Sequence, residues 1–316
     1  MEQALYHPEY GYYSSDRAAI GRRGDYFSNV SVGPLFGELL AAQFVEMWER
    51  LNQPTNFVLV EQGAHHGEFA RDVLRSAQAQ SPKLFSALRY RIVEPFPKLR
   101  DRQTETLRDF RERVEWRESL DHLEEFAGLH FSNELLDSMP INLRTQLVDL
   151  AGDQFVFVDS AAAQTTNRSQ LDWIDQVAAR LQRGFVLISD YGFVRSEFRE
   201  IVQVRAKHRL LGSPFEQIGQ ADITAHINWT DVAERAERNG LVTSGFTDQH
   251  HFLTGIISKQ PEIIAGKKSK RALQTLLHPE MLGRSFQVLG LAKDVDILPP
   301  LSGFKFARDT RNSGGL

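Results

Sequence analysis

The chain of 316 residues contains no cysteine. That absence excludes disulfides, thiolate nucleophiles and cysteine-ligated zinc, and it fits a reducing compartment. No apolar run approaches the roughly 20 residues needed to cross a bilayer. The opening MEQALYHPEYGYYSS lacks the basic start and apolar stretch of a signal peptide, so a cytoplasmic location is expected. An excess of positive charge is missing as well. The 37 Lys and Arg against 41 Asp and Glu leave a formal net charge of −4, which gives no general attraction to nucleic acid or an anionic membrane. The basic cluster GKKSKR (266–271) has no aromatic or glycine interleaving and reads as a solvated lead-in to a helix.

Phosphate-binding glycine patterns are also lacking. The run FVLVE (57–61) reads as a buried strand that turns through Gly63 and Gly67 into the helix GEFARDVLRSAQAQ (67–80). A dinucleotide fingerprint counted from Gly63 needs glycine at 65 and glycine or alanine at 68, where this chain has His65 and Glu68. A carboxylate opening the helix repels a pyrophosphate. No Gly-Lys-Ser/Thr closes a P-loop.

What is present is alternation. Strands are expected at FVLVE, YRIVE (90–94), RVEW (113–116), LHFSNE (129–134), GFVLISDYG (184–192), LVTSGFT and SFQVLGLAK, with helices of ten to fifteen residues between most of them. This predicts an α/β fold whose mostly parallel sheet is covered on both faces. Residues 1–55 form an aromatic, Gly-rich segment and a helix, and 56–316 form the core. A hairpin at about 141–165 and a second insertion at about 193–229 interrupt that core, and the tail RDTRNSGGL is expected to be disordered.

Ligands of open parallel sheets sit beyond the carboxyl ends of the strands. Here the strands end on Glu61-Gln62-Gly63, on Glu94-Pro95, on Asn133-Glu134 leading to Asp137, and on Asp190-Tyr191-Gly192. Singly, each is also a helix cap, a surface carboxylate or turn chemistry. Together they predict a site at this edge. A ligand without phosphate and with positive charge suits them, and S-adenosylmethionine is such a ligand, with Glu94 placed to grip a ribose diol. The pairs His65-His66 and His250-His251 invite a metal. Adjacent side chains diverge and no His-x-x-x-His spacing accompanies them, so no metal site is expected. His226 is expected to make a structural hydrogen bond, with general-base work as its alternative.

The chain also resembles the MidA-type S-adenosylmethionine-dependent methyltransferases, a family that includes a mitochondrial arginine methyltransferase assisting respiratory complex I assembly. The motifs that carry the likeness run nearly end to end: ALYHPEYGYYS (4–14), GDYFSNVSVGPLFGELLA (24–41), YRIVEPFPKLRDRQ (90–103), SNELLDSMPIN (132–142), DYG (190–192), ADITAHIN (221–228), TDQHHFL (247–253) and HPEMLGRSFQVL (278–289). The resemblance implies a class I, Rossmann-like seven-stranded core that binds S-adenosylmethionine and methylates a protein arginine, with a respiratory-complex subunit as the implied kind of substrate. It implies that Glu61, Gly63 and Gly67 line the methionine end of the cofactor and Glu94 the ribose. Asp25, Phe27 and Ser28 would belong to a covering block, and Asn133 and Glu134 would lie next to the methyl. Glu134, then Asp137, then Asp190 are the candidates to orient a guanidinium. Two departures stand out. The loop reads Glu-Gln-Gly-Ala-His-His-Gly against a family pattern of Glu-x-Gly-x-Gly-x-Gly, and Ser28-Asn29-Val30 stands where Thr-Ala-Pro is usual. The competing reading is a methyltransferase-fold assembly factor that has lost turnover. The sequence assigns no oligomeric state.

Overall fold

Seven core strands build the sheet: β1 (Phe57–Gln62), β2 (Leu88–Val93), β3 (Val114–Arg117), β4 (Phe126–Asn133), β5 (Leu181–Phe193), β6 (Val242–Asp248) and β7 (Phe286–Lys293). In the computed structural model their order is β3-β2-β1-β4-β5-β7-β6, and the short strand Ile227–Asn228 adds to β5. β3, β2, β1, β4 and β5 run parallel, whereas β7 is antiparallel to both neighbours. Residues 1–15, 28–141, 146–159, 167–199, 201–265 and 269–310 are described. Asp25, Phe27 and the lysines of GKKSKR at 267 and 268 lie outside them.

Alternation within strands explains why both faces are covered. Phe57 and Leu59 join one buried cluster with α1 (Leu35–Arg50), α2 (Glu68–Gln80) and α6 (Gln249–Lys259). Val58 and Val60 join the other, with α4 (Arg168–Arg180) and α5 (Trp229–Arg238). A strand buried on both faces needs a continuous apolar run, and β1 supplies one. Between β2 and β3 lies α3 (Pro97–Thr106), opened by proline in its first turn. A last helix, α7 (Ser269–Leu277), precedes β7.

Between β4 and β5 the strands Gln146–Ala151 and Gln154–Asp159 form a two-stranded hairpin. Between β5 and α5, Val202–Ala206 pairs with Arg209–Leu210 and Asp222–Ala225 in a three-stranded sheet. That sheet packs with Leu5 and Tyr12 of the N-terminal segment in a third apolar cluster. The start of the expected disordered tail is ordered instead. The Thr310 carbonyl accepts the Thr230 hydroxyl at 2.7 Å, and the Arg308 amide donates to Phe246 at 2.7 Å. Positions 311–316 lie outside the described residues.

Candidate active site

Register places the strand ends side by side. Gln62 pairs with Val93 of β2 and Ser132 of β4, and Asn133 pairs with Ser189 of β5. Glu94, Gly63, Glu134 and Asp190 therefore emerge in a row from strands about 4.8 Å apart. Beyond them lies a cavity of about 730 Å³ lined by Ser28, Glu61, Gly63, His65, Glu94, Phe96 and Asn133, among others.

The loop after β1 keeps its turn without the usual central glycine. His65 has φ +46, between Gly63 at +84 and Gly67 at +83. Histidine is among the non-glycine residues that enter this left-handed region, at a cost of roughly 1 kcal/mol. Gln103 secures it. Its amide nitrogen donates to the His65 carbonyl at 2.8 Å and to the Glu94 carboxylate at 3.0 Å, while its oxygen accepts the Trp116 indole at 2.9 Å. One buried amide thus ties the β1 loop to the acid ending β2. Gly67 does not line the cavity; it is the left-handed residue before α2. His65→Gly is expected to leave cofactor affinity within about threefold and to stabilise the fold by up to about 1 kcal/mol, the relieved left-handed strain. A thermal-shift and calorimetric comparison checks this, and a large loss of affinity would give the imidazole a role of its own.

The expected divergence of the two histidines is corrected by the same backbone turn. Their rings stack with centroids 3.7 Å apart, and with Glu68 they bring ligand-type atoms within 4.8 Å of one another. The Arg102 guanidinium lies 3.4 Å from His66 Nε2 and competes with any cation there.

Two acids of this cavity, Glu61 and Glu94, are held against their usual ionisation. Burial pushes Glu61 up to about 8, although the Tyr90 hydroxyl donates to it at 2.6 Å. Burial likewise pushes Glu94 up to about 7, opposed by bonds from the Phe96 amide and Gln103.

A second cavity of about 820 Å³ opens on the other side of Glu134. Tyr13 and Glu134 line both cavities. Glu134 sits at φ +53, its amide bonded to the Ser189 carbonyl at 3.0 Å and its carboxylate accepting from Asn133 at 2.9 Å. Such a non-glycine residue persists in this region because its surroundings fix it, as is common at functional sites. Asn29 in turn donates to the Asn133 side chain at 3.0 Å. Burial raises Glu134 to about 8, with Asp190 pushing the same way. Asp137 is raised well above the carboxylate range by burial and by its acidic neighbours Asp190, Asp222 and Glu134. Among the described residues no Lys or Arg pairs with Glu134 or Asp137.

Two expectations about this cluster need correction. Asp190 lines neither cavity. Its carboxylate accepts backbone amides of Leu135, Leu136, Asp137 and Tyr191 at 2.7–3.3 Å, so it shapes the loop that presents Glu134 and Asp137. His226 does not make the expected structural bond through Nδ1, which has no partner among the described residues. Its ring meets Phe193 edge-on, and burial lowers its basicity.

Asp222, Tyr13 and Gln103 escaped the sequence reading. Asp222 is buried in the second cavity and accepts the Tyr13 hydroxyl at 2.7 Å. A clue was in view, since Asp222 is the second residue of the same ADITAHIN motif that drew attention to His226.

The strand order, the antiparallel β7 and a glycine-turned cavity beyond β1 and β2 define a class I S-adenosylmethionine-dependent methyltransferase. The family described as "Putative S-adenosyl-L-methionine-dependent methyltransferase" matches residues 39–165 and 160–247, well over half of the chain. The chain belongs to that family, and S-adenosylmethionine is its cofactor. A solved Burkholderia thailandensis protein, bound to S-adenosyl-homocysteine and described as a "likely methyl transferase", is 26% identical with a TM-score of 0.84. That likeness covers 97% of this chain and 89% of the other. The Drosophila melanogaster "Protein arginine methyltransferase NDUFAF7 homolog, mitochondrial" is 27% identical over 307 residues, 80% of this chain and 69% of the relative. The Homo sapiens protein arginine methyltransferase NDUFAF7, mitochondrial, is 24% identical over 377 residues, covering 99% of this chain and 82% of the relative. These relatives are mitochondrial by name, which overturns the expected cytoplasmic location. Among the described residues no helix is long and apolar enough to cross a membrane.

Proposed function

We propose that this methyltransferase transfers its methyl group to the guanidinium of a protein arginine. One observation carries the reading: the cofactor cavity and the carboxyl-lined second cavity share Glu134 and Tyr13 as a common wall. The Glu134 and Asp137 carboxyls, which pair with no Lys or Arg among the described residues, fit a cationic acceptor rich in N–H donors. The arginine methyltransferase names of the relatives support the same acceptor. The resemblance also points to a respiratory-complex subunit as the substrate protein.

The cofactor residues fit the group they would hold. Glu94 would accept the ribose hydroxyls, Glu61 and the Gly63–His65 turn would meet the amino-acid end, and Ser28, Val30 and Phe96 would close the walls. The described parts of segment 1–55 would cover the core, and those of the insertion at 193–229 would form the acceptor side. The bound cofactor supplies an electrophilic methyl on a sulfonium. Transfer joins that carbon to nitrogen, returns the carbon–sulfur electron pair to sulfur, and leaves one nitrogen proton to be removed. Glu134 orients the guanidinium by accepting two of its N–H groups and keeps the reacting nitrogen toward the methyl. Asp137 and Asp222 draw the cation in. Burial and its acidic neighbours raise the proton affinity of Asp137, which suits it to take the released proton, with His226 as a second acceptor.

The acceptor assignment is tested with labelled S-adenosylmethionine and a peptide offering one arginine, one lysine and a free amino terminus. Label on the arginine supports it, and label on lysine or the terminus overturns it. Asp222→Asn is expected to raise KM for the arginine peptide about tenfold, the loss of one charge-assisted interaction of about 1.5 kcal/mol. Cofactor affinity should stay unchanged. An unaltered KM would remove Asp222 from the acceptor site.

A further inference from the structure

The hairpin Gln146–Asp159 carries more apolar surface than its packing uses. Val148 pairs with Phe157 and Leu150 with Phe155, so these four side chains share one face. That face touches Phe215, whose ring centroid lies 6.0 Å from Phe155 and 4.7 Å from Phe157. Even so, Val148, Leu150, Phe155 and Phe157 remain 56, 60, 47 and 37% exposed. Among the described residues neither hairpin strand pairs with a third, so each has an edge without a strand partner, where the Leu150 amide donates to the Asp149 carboxylate at 2.8 Å. Natural edge strands are usually blunted with lysine, proline or a bulge. This hairpin has none of the three: residues 146–159 contain three aspartates, no lysine, no arginine and no proline, and the register is unbroken.

Its position gives the surface a use. In sequence the hairpin follows the loop bearing Glu134 and Asp137. Phe215 belongs to the insertion whose strands supply Gln203, Arg205, Asp222 and Thr224 to the wall of the second cavity. The apolar face and the acceptor cavity therefore rest on the same insertion.

We infer that the hairpin docks an extended, basic and apolar segment of the methyl-acceptor protein, which adds along its edge as a third strand while its arginine enters the cavity. This rests on the arginine-acceptor reading above and adds how a protein substrate is recognised. Main-chain pairing supplies affinity, alternate apolar side chains rest on the exposed face, and basic side chains meet Asp149 and Asp153. Charge selects this occupant over a second copy of the chain. Two hairpins would bring together three aspartates each with no lysine or arginine in 146–159 to offset them, whereas a basic strand is complementary.

The test uses the full chain saturated with S-adenosyl-homocysteine. The probe is a thirteen-residue fluorescent peptide with a central arginine flanked by alternating valine and lysine, beside a twin with glutamate for each lysine. The lysine peptide should bind at least tenfold more tightly than its twin. That preference should disappear in the Asp149→Lys/Asp153→Lys variant, and Leu150→Ser should weaken binding severalfold. Amide exchange across 146–159 should slow when the peptide binds. Equal affinities in all these pairs, no binding of either peptide, unaltered exchange, or a Leu150-dependent dimer in sedimentation would each overturn the inference. Methylation of acetyl-arginine amide is followed in parallel, because it needs no hairpin. If it proceeds equally in wild type and variants while peptide selectivity is absent, docking fails and the arginine reading stands. If methyl goes to acetyl-lysine amide instead, both fail.

Discussion

Glu134→Gln should lower the methyl-transfer rate by about two to three orders of magnitude, the usual loss when one preorganised electrostatic partner is removed. S-adenosyl-homocysteine affinity should stay within about threefold of wild type, because the substitution keeps the size and most hydrogen-bonding capacity of the side chain. Glu134, with Tyr13, lines both cavities, and Asn133, itself bonded by Asn29, donates to its carboxylate. Its proton affinity adds a pH signature. Burial lifts its pKa to about 8, so without acceptor it holds a proton at neutrality. The rate should therefore climb as pH rises toward about 8, and that climb should be missing in the glutamine variant. A variant that transfers methyl at the wild-type rate would take Glu134 out of the chemistry.

Glu94→Ala should weaken S-adenosylmethionine and S-adenosyl-homocysteine alike, by about 10–100-fold, as expected for losing a charged hydrogen-bond acceptor worth about 1.5–3 kcal/mol. Equal loss for both ligands separates a ribose contact from a sulfonium contact, since the two share the ribose and differ at sulfur. The substitution also strands the Gln103 amide, which bridges Glu94 and the His65 carbonyl. The sign of the pH effect follows from the raised pKa of about 7. Below it the carboxyl is protonated and has lost an acceptor position, so affinity falls as pH drops through about 7 and recovers above. Glu94→Gln should bind more weakly and lose that dependence. Calorimetry across pH 6 to 8.5 reads both, and a loss confined to S-adenosylmethionine would move Glu94 from the ribose to the sulfonium.

The strand ends could be read from the sequence because each is local. A buried apolar run terminating on Glu61, on Glu94 or on Asn133-Glu134 announces both strand and exit, and the sheet's parallel order brings those exits together. The methyltransferase family was legible in the same motifs. Gln103, Tyr13 and Asp222 were not, because their importance lies in contacts made only in the folded chain, such as the Gln103–His65 bond spanning 38 residues and the Tyr13–Asp222 bond spanning 209. Asp190 misled for a physical reason. A carboxylate at a strand end can face ligand or cap its neighbour's loop, and only the three amides of Leu135–Asp137 decide which. His65 held an answerable question that needed the backbone: its φ is positive, so the loop keeps the glycine conformation without the glycine.

The most direct test is a crystal structure of the ternary complex with S-adenosyl-homocysteine and an arginine peptide. The guanidinium should lie within hydrogen-bond distance of the Glu134 carboxylate, with one nitrogen facing the cofactor sulfur and Asp137 and Asp222 around it. A peptide whose arginine sits away from Glu134, or whose lysine or amino terminus occupies that place, would contradict the arginine assignment.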